Sequence, residues 1–139
     1  MLQSFSARWR FPSALISVSP MRRGLHGFLA ATMLSDDEIQ DLVLAASEAA
    51  NNAIEHAQQP TEPFFDVFTE FDDGEVTIVI QDHGRWLQPT PSPSSRGRGL
   101  PMMRALADTT VTARSHGTMV TIRTRLAGPV ALADEVSAS

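Results

Sequence analysis

One long amphipathic helix between Ser35 and Pro60 sets the terms for the rest of this chain. Ser35 followed by Glu38 makes a Ser-x-x-Glu capping box, and Asp36 and Asp37 put further negative charge at the positive end of the helix dipole. Ile39, Leu42, Val43, Ala46, Ala50, Ala53, Ile54 and Ala57 then trace an apolar stripe at helical spacing, which Pro60 closes. A stripe of that length has to be covered by a second layer, and its many alanines let the covering layer come close.

Most of the remaining pattern is strand. Phe5, Ala7, Trp9 and Phe11 alternate with Ser6, Arg8 and Arg10, which predicts a half-buried edge or pairing strand stopped by Pro12. Leu25, Phe28, Leu29 and Met33 fall at helical spacing and predict a first helix from about Arg22 to Met33, with Gly24 and Gly27 weakening its start. From Phe64 to Phe71 the pattern alternates again, Asp72-Asp73-Gly74 supplies turn chemistry, and Val76 to Ile80 is a β-branched run. That is a hairpin whose second strand is central. Pro89, Pro91 and Pro93 with their Ser and Thr neighbours make Trp86 to Ser95 a surface loop. A helix from about Gly99 to Ala107 follows, then a hairpin of Thr110 to Arg114 and Met119 to Leu126 turning at Ser115-His116-Gly117. The expected architecture is α+β: a two-layer α/β sandwich, with a mixed, mostly antiparallel sheet and helices on one face. Residues 1–127 are expected to form one domain and the Ala/Ser-rich tail 128–139 to fray.

Composition removes whole classes of chemistry. The chain has no cysteine, hence no disulfide, thiolate zinc site or cysteine nucleophile, and at 139 residues it is large enough to bury a core without them. All eleven basic side chains are Arg, so a phosphate loop of the Gly-x-x-x-x-Gly-Lys type cannot exist. Any phosphate chemistry must use Arg, backbone N–H groups and a metal. A net charge of −5 argues against direct nucleic-acid binding, and no apolar run approaches the roughly 18 residues of a membrane span. The expected protein is soluble and cytoplasmic, without a membrane partner.

Four short stretches carry chemistry. Glu48, Asn52 and His56 recur at four-residue steps and therefore share one helix face. A solvated helix edge would explain them, and His56 suits the cap of a helix C-terminus; in a cleft, the carboxylate could take a proton and the carboxamide oxygen could ligate Mg2+. Asp82-His83-Gly84 ends the β-branched run, a place where an ordinary turn is also common, and Gly84 allows close backbone approach. Gly97-Arg98-Gly99-Leu100 opens a helix, where free N–H groups favour an anion, and Arg96 and Arg98 can each hold phosphate oxygens with two donors. Gly117-Thr118 begins the last strand, and a plain turn accounts for Gly117 equally well.

In this order the pieces resemble the N, G1 and G2 boxes of the GHKL (Bergerat-fold, histidine-kinase-like) ATPases, and within them the bacterial anti-sigma-factor serine/threonine kinases. The resemblance spans about Met21 to Leu126, and its most specific parts are the register of Leu42 to Ala57 and the run from Arg98 to Asp108. It implies ATP and Mg2+ as cofactors, with Asn52 on the metal and Glu48 as the base for an attacking hydroxyl. Asp82 and Thr118 would receive the adenine amine, and Gly84 would give the base room. Gly97, Gly99 and Leu100 would line the phosphates, with Arg96 or Arg98 on the γ-phosphate. It further implies phosphorylation of an anti-sigma antagonist protein, retention of a sigma factor, and pairing as a homodimer. The departure is Trp86, which stands where the family's Asp-x-Gly-x-Gly has its second glycine. The alternative reading is a non-catalytic regulator of the same fold that sequesters a partner, with or without nucleotide.

Overall fold

The computed structural model describes residues 4–58, 63–86, 108–114 and 117–126. Strand β1 (Phe5–Pro12) leads through a short 3-10 turn (Leu15–Ser17) into helix α1 (Val18–Ala30), and α2 (Asp36–His56) follows. The chain continues as β2 (Ala57–Gln58), β3 (Phe64–Asp72), β4 (Glu75–Gln81), β5 (Arg85–Trp86), β6 (Asp108–Arg114) and β7 (Gly117–Arg125). Five strands form one sheet in the order β1-β3-β4-β7-β6, and β2 pairs with β5 in a second, two-stranded ribbon. Every described pairing is antiparallel. β1 is an edge strand and β4 is the middle one, as their patterns required.

Local chemistry accounts for the element ends. The backbone N–H of Ser35 donates to Glu38 Oε1 at 2.9 Å, and that of Glu38 donates to Ser35 Oγ at 3.1 Å, closing both halves of the capping box. Between β3 and β4, Asp73 (φ 52°) and Gly74 (φ 80°) are the two central residues of a hairpin that pairs Asp72 with Glu75. Positive φ at both positions is what a tight turn needs to match the right-handed twist of its strands.

Helix α1 starts four residues and ends three residues earlier than its apolar spacing predicts. At its end the Thr32 hydroxyl donates to the Leu29 carbonyl at 2.5 Å and the N–H groups of Ala31 and Thr32 turn back onto Phe28 and Leu29. Met33, placed on the buried stripe by spacing alone, lies beyond that end and is exposed.

The core lies between the helices and one face of the sheet. Met21, Leu25 and Leu29 of α1 and Ile39, Leu42, Val43, Ala46 and Ala50 of α2 meet Phe65 and Val67 of β3, Val76, Ile78 and Ile80 of β4, and Val120 and Ile122 of β7. This is the two-layer α+β sandwich. Alanines at 45, 46, 49, 50 and 53 are all buried, so α2 sits low over β4 and β7. No helix among the described residues is long and apolar enough to cross a membrane.

Candidate functional site

Asp82 is the best-defined of the chemistry-bearing residues. It follows β4, where alternation turns its side chain to the helix side of the sheet, and only 2% of its surface is exposed. Its Oδ1 accepts the backbone N–H of Gly84 at 3.1 Å and that of Thr118 at 2.9 Å. Its own N–H donates to the Thr118 carbonyl at 3.0 Å, and the Gln81 side-chain amide donates to its carbonyl at 2.7 Å. A buried carboxylate needs such donors, because without them its desolvation would be severe. The result is an acceptor group with a fixed aim.

Gly117 makes this arrangement possible. A Cβ built there would lie 2.1 Å from the Asp82 carbonyl oxygen, far inside van der Waals contact. Gly74 is the one described glycine with positive φ, so Gly117 is required by the close approach of β7 to Asp82 and not by turn geometry. Thr118, next along β7, is buried beside it.

Helix α2 supplies the second half. Asn52 is 9% exposed, more enclosed than the polar helix edge expected from sequence, and Glu48 one turn earlier is half-buried. The helix runs directly into β2, whose residues Ala57 and Gln58 pair with Trp86 and Arg85 of β5, the two residues that directly follow Asp82-His83-Gly84. α2 also packs on β4, β5 and β7. The end of α2 is thereby tied to the Asp82 turn, and Asn52 lies about 6 Å along the axis from the last helical residue, His56. Trp86, the departure from the Gly-rich pattern, is a backbone partner in this ribbon.

The donor chemistry suits Mg2+ shared with a nucleotide. Among the described residues no group of three or more His, Asp or Glu side chains could hold a metal. Mg2+ is commonly bound through one or two protein oxygens together with substrate phosphates and water, which a single enclosed carboxamide such as Asn52 can join. Trp86, expected to begin the proline-rich surface loop, is instead paired in β5; the rest of that loop to Ser95, Arg96, Gly97, Arg98, Gly99 and Leu100, the helix expected over 99–107 and the tail lie outside the described residues.

Three further side chains around the turn were given no role by the sequence. Gln81, His83 and Asp66 all sit on the outer sheet face, where Asp66 pairs in register with Gln81. His83 Nε2 lies 3.1 Å from Asp66 Oδ2, and Arg10 Nε donates to Asp66 Oδ1 at 2.8 Å. Burial by itself would raise the Asp66 carboxyl's pKa. The hydrogen bonds from Arg10 and His83, with their charges, outweigh it and hold the group below its ordinary value of 3.8.

Residues 11–124 match the family described as the histidine kinase-like ATPase domain. The chain belongs to that family. An anti-sigma F factor from Clostridium botulinum (strain Alaska E43 / Type E3) is 37% identical over 71 residues, 50% of this chain and 50% of that protein. A serine-protein kinase RsbW from Staphylococcus epidermidis is 34% identical over 77 residues, 54% of this chain and 48% of that protein. The chain thus spans about half the length of the curated relatives it matches. The crystal structure of the RsbU and RsbW domains of Rv1364c from Mycobacterium tuberculosis superposes with a TM-score of 0.73 at 25% identity, covering 88% of this chain and 32% of that one. In both sequence and fold, this histidine kinase-like ATPase domain is similar to RsbW proteins.

Proposed function

We propose that the protein is an ATP-dependent serine/threonine protein kinase of the anti-sigma-factor type, its residues 1–127 forming one nucleotide-binding domain. It phosphorylates an anti-sigma antagonist protein, holds a sigma factor, and works in the cytoplasm as a homodimer. The observation that carries this reading is Asp82, a buried carboxylate held by two backbone N–H groups at the foot of the helix that bears Glu48 and Asn52. A carboxylate so fixed accepts a hydrogen bond from the exocyclic amine of adenine and repels the oxygen that guanine presents there. The Thr118 hydroxyl assists it, and Gly84 leaves space for the base.

Asn52 would hold Mg2+ through its side-chain oxygen, and the ion would neutralise phosphate charge. Glu48 takes the proton of the attacking serine or threonine hydroxyl. That oxygen bonds to the γ-phosphorus as the bond to the β-phosphate oxygen breaks and ADP departs with the electron pair. Arg96 or Arg98 and the N–H groups of residues 97–100 offset the charge on the group in transfer. Positioning and charge neutralisation do most of the catalysis.

The test is transfer of labelled phosphate from Mg-ATP to the antagonist. Wild-type protein should transfer it, and Glu48→Gln should bind ATP normally while transferring at least about 100-fold more slowly. Equal rates would remove Glu48 as the base. Trp86 in place of a family glycine favours a second reading, a partner-sequestering module that performs no transfer. A calorimetric titration silent at millimolar ATP would decide for that module.

A further inference from the structure

The outer face of the sheet, remote from the helices, carries a row of side chains that ends on both neighbours of Asp82. Register sets Arg10 of β1 opposite Asp66 of β3, and Asp66 opposite Gln81 of β4. Successive residues of an extended chain face opposite ways, so Gln81 and His83 project outward while Asp82 projects inward. Each outward neighbour is gripped. The Gln81 amide donates to the Asp82 carbonyl at 2.7 Å and lies 3.5 Å from the Thr118 carbonyl. His83 Nε2 donates to Asp66 Oδ2 at 3.1 Å, the carboxylate being able only to accept.

The grip on His83 is itself fixed. Arg10 holds the other Asp66 oxygen at 2.8 Å, and its guanidinium lies 3.8 Å from the centre of the Phe64 ring. The same Phe64 ring packs edge-to-face with His83, with centroids 4.9 Å apart and planes at 70°. Arg10, Phe64, Asp66 and His83 therefore interlock across β1, β3 and the turn after β4. A surface ion pair alone would do little for stability. Here the pair is joined to the one turn whose conformation sets the aim of the buried carboxylate.

We propose that this row is a brace for the nucleotide site, in which His83, held by Asp66, is a positioning residue that fixes the Asp82-Gly84 turn and hence the direction of the Asp82 carboxylate. It rests on the reading that Asp82 receives adenine. A base-selecting acceptor must keep its orientation when the base's amine binds, and a turn held on its inner side through Asp82 and at its far end by the β2–β5 pairing can still lose that orientation by tilting at residue 83. The brace opposes that tilt from behind the sheet, out of reach of the nucleotide.

The experiment uses the full chain with three variants of the brace, His83→Ala, Asp66→Asn and His83→Gln, and Glu70→Gln on the same face of β3 as control. Two quantities are read well below the unfolding temperature: amide hydrogen exchange at Gly84 and Thr118 without nucleotide, and calorimetric affinity for Mg-ATP and Mg-GTP. The brace predicts faster exchange at both amides in His83→Ala and Asp66→Asn. It also predicts ATP affinity about three- to tenfold weaker and a smaller ATP-to-GTP preference. His83→Gln, which keeps a donor toward Asp66, should recover most of both, and Glu70→Gln should change neither. Exchange at wild-type rates in both disrupting variants overturns the brace. If wild-type protein binds no ATP, the nucleotide reading fails on its own, and the exchange rates still decide the brace. Faster exchange with an unchanged ATP-to-GTP preference would overturn the link to base selection.

Discussion

At the scale of single residues, the site depends on a methyl group that is absent. Any side chain at 117 meets the Asp82 carbonyl oxygen at 2.1 Å, and no rotamer relieves a clash between a Cβ and backbone. Gly117→Ala should cost about 2 to 3 kcal/mol by thermal unfolding, in the range of overpacked interiors. It should also abolish ATP binding in calorimetry, since β7 can escape only by letting go of Asp82. Asp66 gives a second prediction. Its carboxyl titrates lower in the folded protein, so its contribution is fully present above the ordinary value of 3.8 and disappears as pH falls through the folded value beneath it. With Arg10 mostly in solvent, that contribution is no more than about 1 kcal/mol. Urea unfolding of wild-type and Asp66→Asn proteins should therefore differ at about pH 5 and converge as the pH falls below the folded-state value of the Asp66 carboxyl. Asp82 and Gly84 were visible in the sequence because they stand at the end of a β-branched run. Asp66 and His83 were not, because their meeting depends on the register of β3 with β4, and Gly117 was ambiguous because a turn and a close approach both favour glycine.

At the scale of elements, what could be read in advance was whatever is decided within a few residues. The capping box of α2 formed with both of its hydrogen bonds, and the Asp73-Gly74 pair made the turn its composition implied. Ser35→Ala leaves the Glu38 N–H without its acceptor and should lower stability by about 1 kcal/mol in urea unfolding. Because that helix carries Glu48 and Asn52 well past its first turn, ATP affinity should hardly change. Helix α1 lies three to four residues earlier than its spacing predicts for the opposite reason. Its bounds are set by a 3-10 turn, by the Thr32 hydroxyl, and by Trp9 lying against Gly24, with the nearest ring atom 3.3 Å from where a Cβ would stand. The glycine that weakened the expected helix start is what lets β1 and α1 come together, and no pattern within the helix records that contact.

At the scale of the whole molecule, the two layers matter because they bring the polar residues of α2 and the Asp82-Gly84 turn to one end of the fold. Apolar spacing foretold the layers, and the ribbon of β2 with β5 supplies the junction that spacing could not show, since each of its strands has only two residues. A ligand that bridges the helix to the turn must stabilise both together. At 100 times its dissociation constant, Mg-ATP should add about 2.7 kcal/mol. For a domain of this size that raises the unfolding midpoint by roughly 10 °C, measured by differential scanning calorimetry. On the proposed reading, Asp82→Asn would present the adenine amine with a carboxamide in place of a carboxylate, and Glu48→Gln would leave the adenine end intact. The first should lose most of the ATP-induced rise and the second should keep it. An equal rise in both variants would mean that nucleotide stabilises this fold from somewhere other than the junction of α2 and β4.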